Sequence, residues 1–147
     1  GLVVLPFSTY VWEHGEKMKE YGKRISMMFA CRSFLDYGIP VAGSTDNPCG
    51  PVEPLLGLQS MVTRKSKDGE ILGAEQKISI EEAIKIYTLG SAYASFEENV
   101  KGSIEVGKLA DFVVLSNDPT RVSPDSIRAI DVEKTIVGGK IVYERCN

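Results

Sequence analysis

The sequence predicts an α/β fold that gives way to a β-rich tail. Two short apolar runs, at residues 2–5 and 39–42, flank a segment whose apolar residues recur at helical spacing. A polar, proline-punctuated loop follows the second run, at the end of a strand where turn formers gather. Beyond Lys101 the helical period vanishes and short strand-like runs take over.

Leu2, Val3, Val4 and Leu5 form an unbroken apolar run closed by Pro6, which suits a buried parallel strand better than a half-exposed antiparallel one. From residue 16 to 37, Met18, Tyr21, Ile25, Met28 and Leu35 mark an amphipathic helix whose weak point is Gly22 and whose stop is Gly38. Residues 39–42 make a second short strand, so the order is that of a right-handed parallel crossover. After the loop at 43–54, Pro54 is placed to open a helix through Leu55, Leu56, Leu58, Met61 and Val62, ended by Arg64. The charged, glycine-punctuated stretch 65–77 reads as a surface excursion.

Ser79-Ile80-Glu81-Glu82 is a capping box, and its helix runs through Ala83, Ile84, Tyr87 and Ala94 with Gly90 as a close-packing point. Strands are expected at 103–104, 111–115, 134–137 and 140–143. Gly138-Gly139 between the last two signals a two-residue hairpin, because both positions of the primed turns favour glycine. A boundary falls near residue 100, dividing the chain into 1–100 and 101–147.

With 147 residues, 43% of them hydrophobic and 25% charged, the chain has the composition of one ordinary globular domain. A net charge of -3 with interspersed lysines and arginines offers no basic footprint for nucleic acid or anionic lipid. A small-molecule substrate is the expected partner. No apolar run approaches the roughly 20 residues of a membrane span, and the opening residues are too short and unflanked for a signal peptide. Cys31, Cys49 and Cys146 form neither a disulfide framework nor a zinc knuckle, which fits a reducing cytoplasm. The chain starts inside an apolar run without an initiator methionine, and so reads as a piece of a longer protein.

Gly102-Ser103-Ile104-Glu105-Val106-Gly107-Lys108-Leu109-Ala110-Asp111-Phe112-Val113-Val114-Leu115 resembles the segment by which amidohydrolase-superfamily enzymes pass from their last barrel helix into a small β-sandwich. Tyr87-Thr88-Leu89-Gly90-Ser91-Ala92-Tyr93-Ala94 before it and Thr135-Ile136-Val137-Gly138-Gly139-Lys140-Ile141-Val142-Tyr143 after it extend the resemblance in the same order. Gly43-Ser44-Thr45-Asp46, with Pro54-Leu55-Leu56 and Val62-Thr63-Arg64, resembles the eighth-strand region of the subgroup often called the amidohydrolase 3 family. The likeness covers nearly the whole chain. It implies the C-terminal piece of a (β/α)8 TIM barrel, its last two strands and helices, followed by a small β-sandwich composite domain. It also implies a parent enzyme that hydrolyses C–N bonds of amide, cyclic amide or N-acyl substrates with water activated by a divalent metal, Zn²⁺ being the expected ion.

From its residues alone, Asp46 is a carboxylate just past a strand, a place also taken by Asx-turn and helix-capping aspartates. The resemblance implies that it is the metal-ligating aspartate that also takes the nucleophilic water's proton, tasks a hard oxygen ligand can combine. Arg64 has two readings: a bidentate fork for a substrate carboxylate, or a helix-end arginine meeting C-terminal carbonyls. The first makes it the candidate substrate-binding residue. His14 is the only histidine and has no second ligand at metal spacing, so it is expected to be exposed or to line a substrate site. Cys49 reads as an ordinary loop cysteine, and Asp111 as a structural aspartate tying down neighbouring turn amides.

The resemblance further implies a His-x-His, a lysine or glutamate bridge and two more histidines, none of which this sequence contains. Alone, the chain is therefore expected to be inactive and to hold metal substoichiometrically. Unpaired edges on its two apolar runs call for self-association or for the remainder of the parent chain. A second class of reading is a stand-alone binding or assembly module, or a subunit complementing a separate N-terminal half. A His-x-His encoded in frame upstream would separate the two.

Overall fold

A computed structural model describes residues 1–146. The two apolar runs lie side by side and parallel, through bridges Val4–Val41 and Phe7–Ser44. Val4 N–H donates to Pro40 O (2.9 Å), Ala42 N–H to Val4 O (2.9 Å) and Ser8 N–H to Ser44 O (2.8 Å). The expectation that the first run is buried needs correction: Leu2 is 85% and Leu5 50% exposed. A parallel strand is buried only where layers cover both its faces, and among the described residues this run has a neighbour on one side alone. Val41 and Ala42 in the second run are buried.

The helix expected over 16–37 is divided. Helices α1 (Tyr10–Glu13) and α2 (Gly15–Met18) lead into a 3₁₀ stretch Lys19–Met27 that kinks at Gly22 (φ 52°, ψ -126°). Phe29 (φ 48°) breaks the chain again before α3 (Cys31–Asp36). These breaks let one apolar stripe serve two cores: Met18, Ile25 and Met28 pack with Val11 and Leu72, whereas Phe34 and Leu35 join Cys31, Leu58 and Met61. Helix α3 ends as expected at Gly38, where Ile39 N–H reaches Phe34 O (2.9 Å) and Gly38 N–H reaches Leu35 O (3.0 Å), a Schellman closure.

Helix α4 (Pro54–Thr63) begins on its proline and ends at Arg64 in left-handed backbone (φ 55°). The stretch 65–77 is a surface excursion only at its tip. Lys65 pairs with Ile71, and Ser66, Leu72 and Gln76 are buried. Gln76 exchanges hydrogen bonds with Ser33, its amide donating to Oγ (2.7 Å) and its carbonyl accepting the backbone N–H (3.1 Å), which docks the excursion on α3.

The capping box forms: Ser79 Oγ accepts from Glu82 N–H (3.1 Å) and Glu82 Oε2 from Ser79 N–H (2.8 Å). Helix α5 (Ile80–Lys85) passes through a π-helical turn Ile86–Gly90 into α6 (Ser91–Ala94). The Ile86 carbonyl in this turn accepts both Gly43 N–H (3.2 Å) and the Ser91 hydroxyl (3.2 Å), tying helix to strand end. Gly90 is the expected close contact, since a Cβ there would stand 2.1 Å from Val41 O.

Strands β1 (Phe112–Leu115), β2 (Val132–Val137) and β3 (Lys140–Glu144) form an antiparallel sheet in the order β1-β2-β3. Gly138 (φ 57°) and Gly139 (φ 78°) make the expected two-residue turn. Asp111 is structural, but the amide its Oδ1 accepts is Gly138 N–H (2.7 Å) of the distant hairpin and not one of its own turn. No strand forms at 103–104, because the described residues offer those amides no partner strand. All of β3 is exposed, and the sheet is a single layer.

Packing crosses residue 100. The 3₁₀ segment Pro124–Ala129, between β1 and β2, inserts Ile127 (1% exposed) among Leu58, Met61, Ala83 and Ile86. Gln59 Oε1 accepts Arg128 N–H (2.9 Å) from the same segment. The architecture is thus mixed α/β, a parallel strand pair wrapped by short helices and joined through this segment to a three-stranded antiparallel sheet.

Arg64, 2% exposed, cross-links the N-terminal half. Its Nε donates to Leu72 O (2.8 Å), Nη1 to Met28 O and Phe29 O (both 3.1 Å), and Nη2 to Ile25 O (3.4 Å). Burial pulls its pKa below the ordinary arginine value. Arg64→Met takes the donor from the Leu72 and Met28 carbonyls, while Phe29 O keeps Cys31 N–H and Ile25 O keeps Met28 N–H; at about 1–3 kcal/mol for each stranded group, a loss of about 2–6 kcal/mol is expected by urea denaturation. Arg121→Met, at a site with 85% side-chain exposure, should change stability by less than about 0.5 kcal/mol.

Candidate functional site at the ends of the parallel pair

The Phe7–Ser44 bridge brings the C-terminal ends of both parallel runs level. Past it, one run turns into α1, with Tyr10 N–H closing on Phe7 O (3.0 Å), and the other enters the loop carrying Asp46. The two side chains converge, and Tyr10 Oη donates to Asp46 Oδ2 at 2.5 Å.

Asp46 adopts left-handed backbone (φ 58°), which aspartate tolerates better than most residues. Its carbonyl accepts Cys49 N–H (2.7 Å) and Gly50 N–H (3.0 Å), folding the loop back. Only glycine fits at position 50, since a Cβ would lie 2.0 Å from Thr45 O and 3.0 Å from the Tyr10 ring. Asp46 is half-buried, and the partner of its carboxylate is the tyrosine hydroxyl rather than a turn amide.

Phe7, Phe29 and His14 surround the Tyr10 ring, with centroids 5.0, 5.7 and 4.6 Å away. The hydrogen bond to Asp46, reinforced by desolvation and by the carboxylate's charge, pushes the Tyr10 pKa up to about 12. At neutral pH it is therefore an uncharged donor. Behind the loop, Tyr87 is wedged between Gly43 and Gly57, where a Cβ would stand 2.8 Å and 2.0 Å from its ring and hydroxyl. Burial raises the Tyr87 pKa.

The structure separates the two residues singled out for the site. Asp46 lies at the strand ends, whereas Arg64 has every guanidinium nitrogen engaged by a backbone carbonyl and presents no fork to a substrate carboxylate. This corrects the substrate-binding reading of Arg64, and also its alternative, since the carbonyls it meets belong to other segments than its own helix. Its link to the site is indirect: by holding Phe29 O it braces one wall of the Tyr10 pocket. Cys49 is exposed.

Among the described residues no three His, Cys, Asp or Glu side chains gather closely enough to hold a metal ion. A zinc site takes three or four such ligands. This chain by itself therefore does not fit a resident metal.

Tyr10 went unmarked in the sequence reading. The signal was its place: once two runs are parallel and level, residues a few positions past the last bridge on each are neighbours.

Replacing Asp46 by Asn should let the Tyr10 pKa fall from about 12 toward its ordinary value of 10.0. Ultraviolet difference titration against Tyr10→Phe isolates that signal from the other tyrosines. The folded state here prefers the protonated phenol. Its contribution to stability is therefore full below pH 10 and is lost as pH rises through about 12.

A sequence model described as "Amidohydrolase family" matches residues 5–143. The chain is 41% identical over 125 residues to YtcJ of Bacillus subtilis, provisionally named an amidohydrolase, covering 83% of this chain and 24% of that protein. It is 36% identical over 118 residues to an N-substituted formamide deformylase of Arthrobacter pascens, covering 80% and 22%. The chain thus spans about a quarter of the length of these relatives. Among solved structures, a metal-dependent hydrolase of uncharacterized function from Pyrococcus horikoshii superposes with TM-score 0.66 at 24% identity, over 84% of this chain and 26% of that one. The family match takes in the Asp46 loop, the Tyr10 wall and the three-stranded sheet together, and the chain belongs to the amidohydrolase family.

Proposed function

We propose that this chain is the C-terminal part of a metal-dependent amidohydrolase that cleaves C–N bonds of amide, cyclic amide or N-acyl compounds, and that Asp46 is its general base and one of its metal ligands. The observation that carries this reading is the Asp46 carboxylate, set at the C-terminal ends of two parallel strands in a chain of this family. Active sites of parallel barrels sit at that end. On this reading residues 1–100 are the last two strand–helix units of a (β/α)8 barrel and 101–147 a segment of a β-sandwich.

The chemistry matches a lone, oriented carboxylate. In hydrolysis a water oxygen bonds to the carbonyl carbon, the C–N bond breaks, and the water's proton ends on the departing nitrogen. Asp46 carries that proton between the two. The relative named N-substituted formamide deformylase acts on one such carbonyl–nitrogen bond, which supports the substrate class. A divalent ion, with Zn²⁺ as the proposed identity, belongs to the whole protein, whose other segments supply the ligands absent here.

In the full-length protein, Asp46→Asn should lower turnover by about 10²–10⁴-fold with the fold intact, since the amide cannot take the proton. A variant keeping more than about a tenth of wild-type activity would show Asp46 to be a loop residue only. The isolated chain leaves Leu2, Leu5 and the whole of β3 exposed. Light scattering during size exclusion should accordingly find it self-associated, and elemental analysis should find well under one divalent ion per chain.

A further inference from the structure

We propose that Tyr10 is a positioning residue for the Asp46 carboxylate: by donating to Oδ2 it fixes the carboxylate's rotation and leaves Oδ1 as the oxygen that receives the water's proton. The inference rests on the reading of Asp46 as general base. It starts from an asymmetry between the partners. Asp46 takes left-handed backbone in its loop, and a carboxylate turns easily about its last torsion. The Tyr10 hydroxyl, 2.5 Å away, is the group that restrains it.

Tyr10 itself is half-buried and packed against several neighbours. Its ring is packed among Phe7, Phe29 and His14, and Gly50 presses on its edge. The next residue, Val11, is buried in the core shared with Met18 and Leu72. Lys67 Nζ and Arg128 Cζ both pack on the Trp12 ring, 4.8 and 4.6 Å from its centroid. The Trp12 carbonyl also accepts Lys67 N–H (3.1 Å), while Lys67 Nζ pairs with Glu13 at 2.6 Å. Helix α1 is thus clamped by the 65–71 hairpin and by the segment between β1 and β2, and the Tyr10 hydroxyl is a fixed point. A fixed donor on a mobile carboxylate turns a freely rotating base into one aimed in a single direction, which is what proton transfer requires.

The test is a double-mutant cycle of Tyr10→Phe and Asp46→Asn in the full-length protein, with N-substituted formamides as the probe substrates. Phenylalanine keeps the ring and its packing and deletes only the donor. Tyr10→Phe should lower kcat by about 10–100-fold, the usual weight of a residue that orients a functional group. KM should stay within about twofold, and the melting temperature should hold. In the Asp46→Asn background the same substitution should have no further effect, because Tyr10 acts through that carboxylate. An equal loss in both backgrounds would overturn the inference by showing a merely structural tyrosine. Full activity of Tyr10→Phe beside an inactive Asp46→Asn would overturn it while leaving the proposed function standing. An active Asp46→Asn would overturn both.

Discussion

The parallel register between residues 4–8 and 41–44 is the constraint from which the site follows. Backbone hydrogen bonds of this kind contribute only about 0.5–1.5 kcal/mol each, so the few that join the two runs do not fix the register unaided. Packing against the helical segment Ile86–Gly90 adds the rest. Gly90 lies against the Val41 carbonyl, Gly43 against the Tyr87 ring, and the Ile86 carbonyl takes the Gly43 amide. These contacts place the second run to within a residue. A slip of one position would turn every side chain to the opposite face and part Tyr10 from Asp46.

The π-helical turn is the local irregularity that makes this seating possible. Its Ile86 carbonyl serves two donors at once, the Ser91 hydroxyl of its own helix and the Gly43 N–H at the strand end, which a carbonyl's two lone pairs allow. Arg64 performs a related task for the irregular segments around it. It closes α4 in left-handed backbone and gathers carbonyls from the broken stretch 25–29 and from Leu72. Segments without regular structure leave carbonyls unpaired, and a guanidinium has enough donors to satisfy several at once. The irregular path between α2 and α3, and with it the Phe29 wall behind Tyr10, depends on that one side chain.

The segment Pro124–Ala129 gives the molecule its continuity. It leaves the β-sheet, drops Ile127 into the core of the helical part, and brings Arg128 onto Trp12. A region that looks like a separate appendage in sequence is thereby coupled to the helix that carries Tyr10. The sheet itself leaves Val113, Ile141, Val142 and Tyr143 exposed, apolar surface that a single layer cannot cover for itself.

The sequence by itself determined the local features: the Pro54 helix start, the capping box at Ser79, the stops at Gly38 and Arg64, the Gly138-Gly139 hairpin, the parallel order of the first two strands, and the carboxylate at their end. Apart from the strand order, which follows from the general handedness of a strand–helix–strand crossover, each depends on residues within a few positions of one another, or on one backbone angle, and such preferences are written in short stretches of chain. Tertiary structure alone decided that Arg64 meets carbonyls of other segments instead of a substrate or its own helix end, that Leu72 and Gln76 are buried, that Ile127 crosses into the first core, and that Tyr10 meets Asp46. These pairings join residues far apart in the chain. Their energy comes from desolvation and packing that exist only once the register is set, and periodicity or motif spacing carries no record of that register.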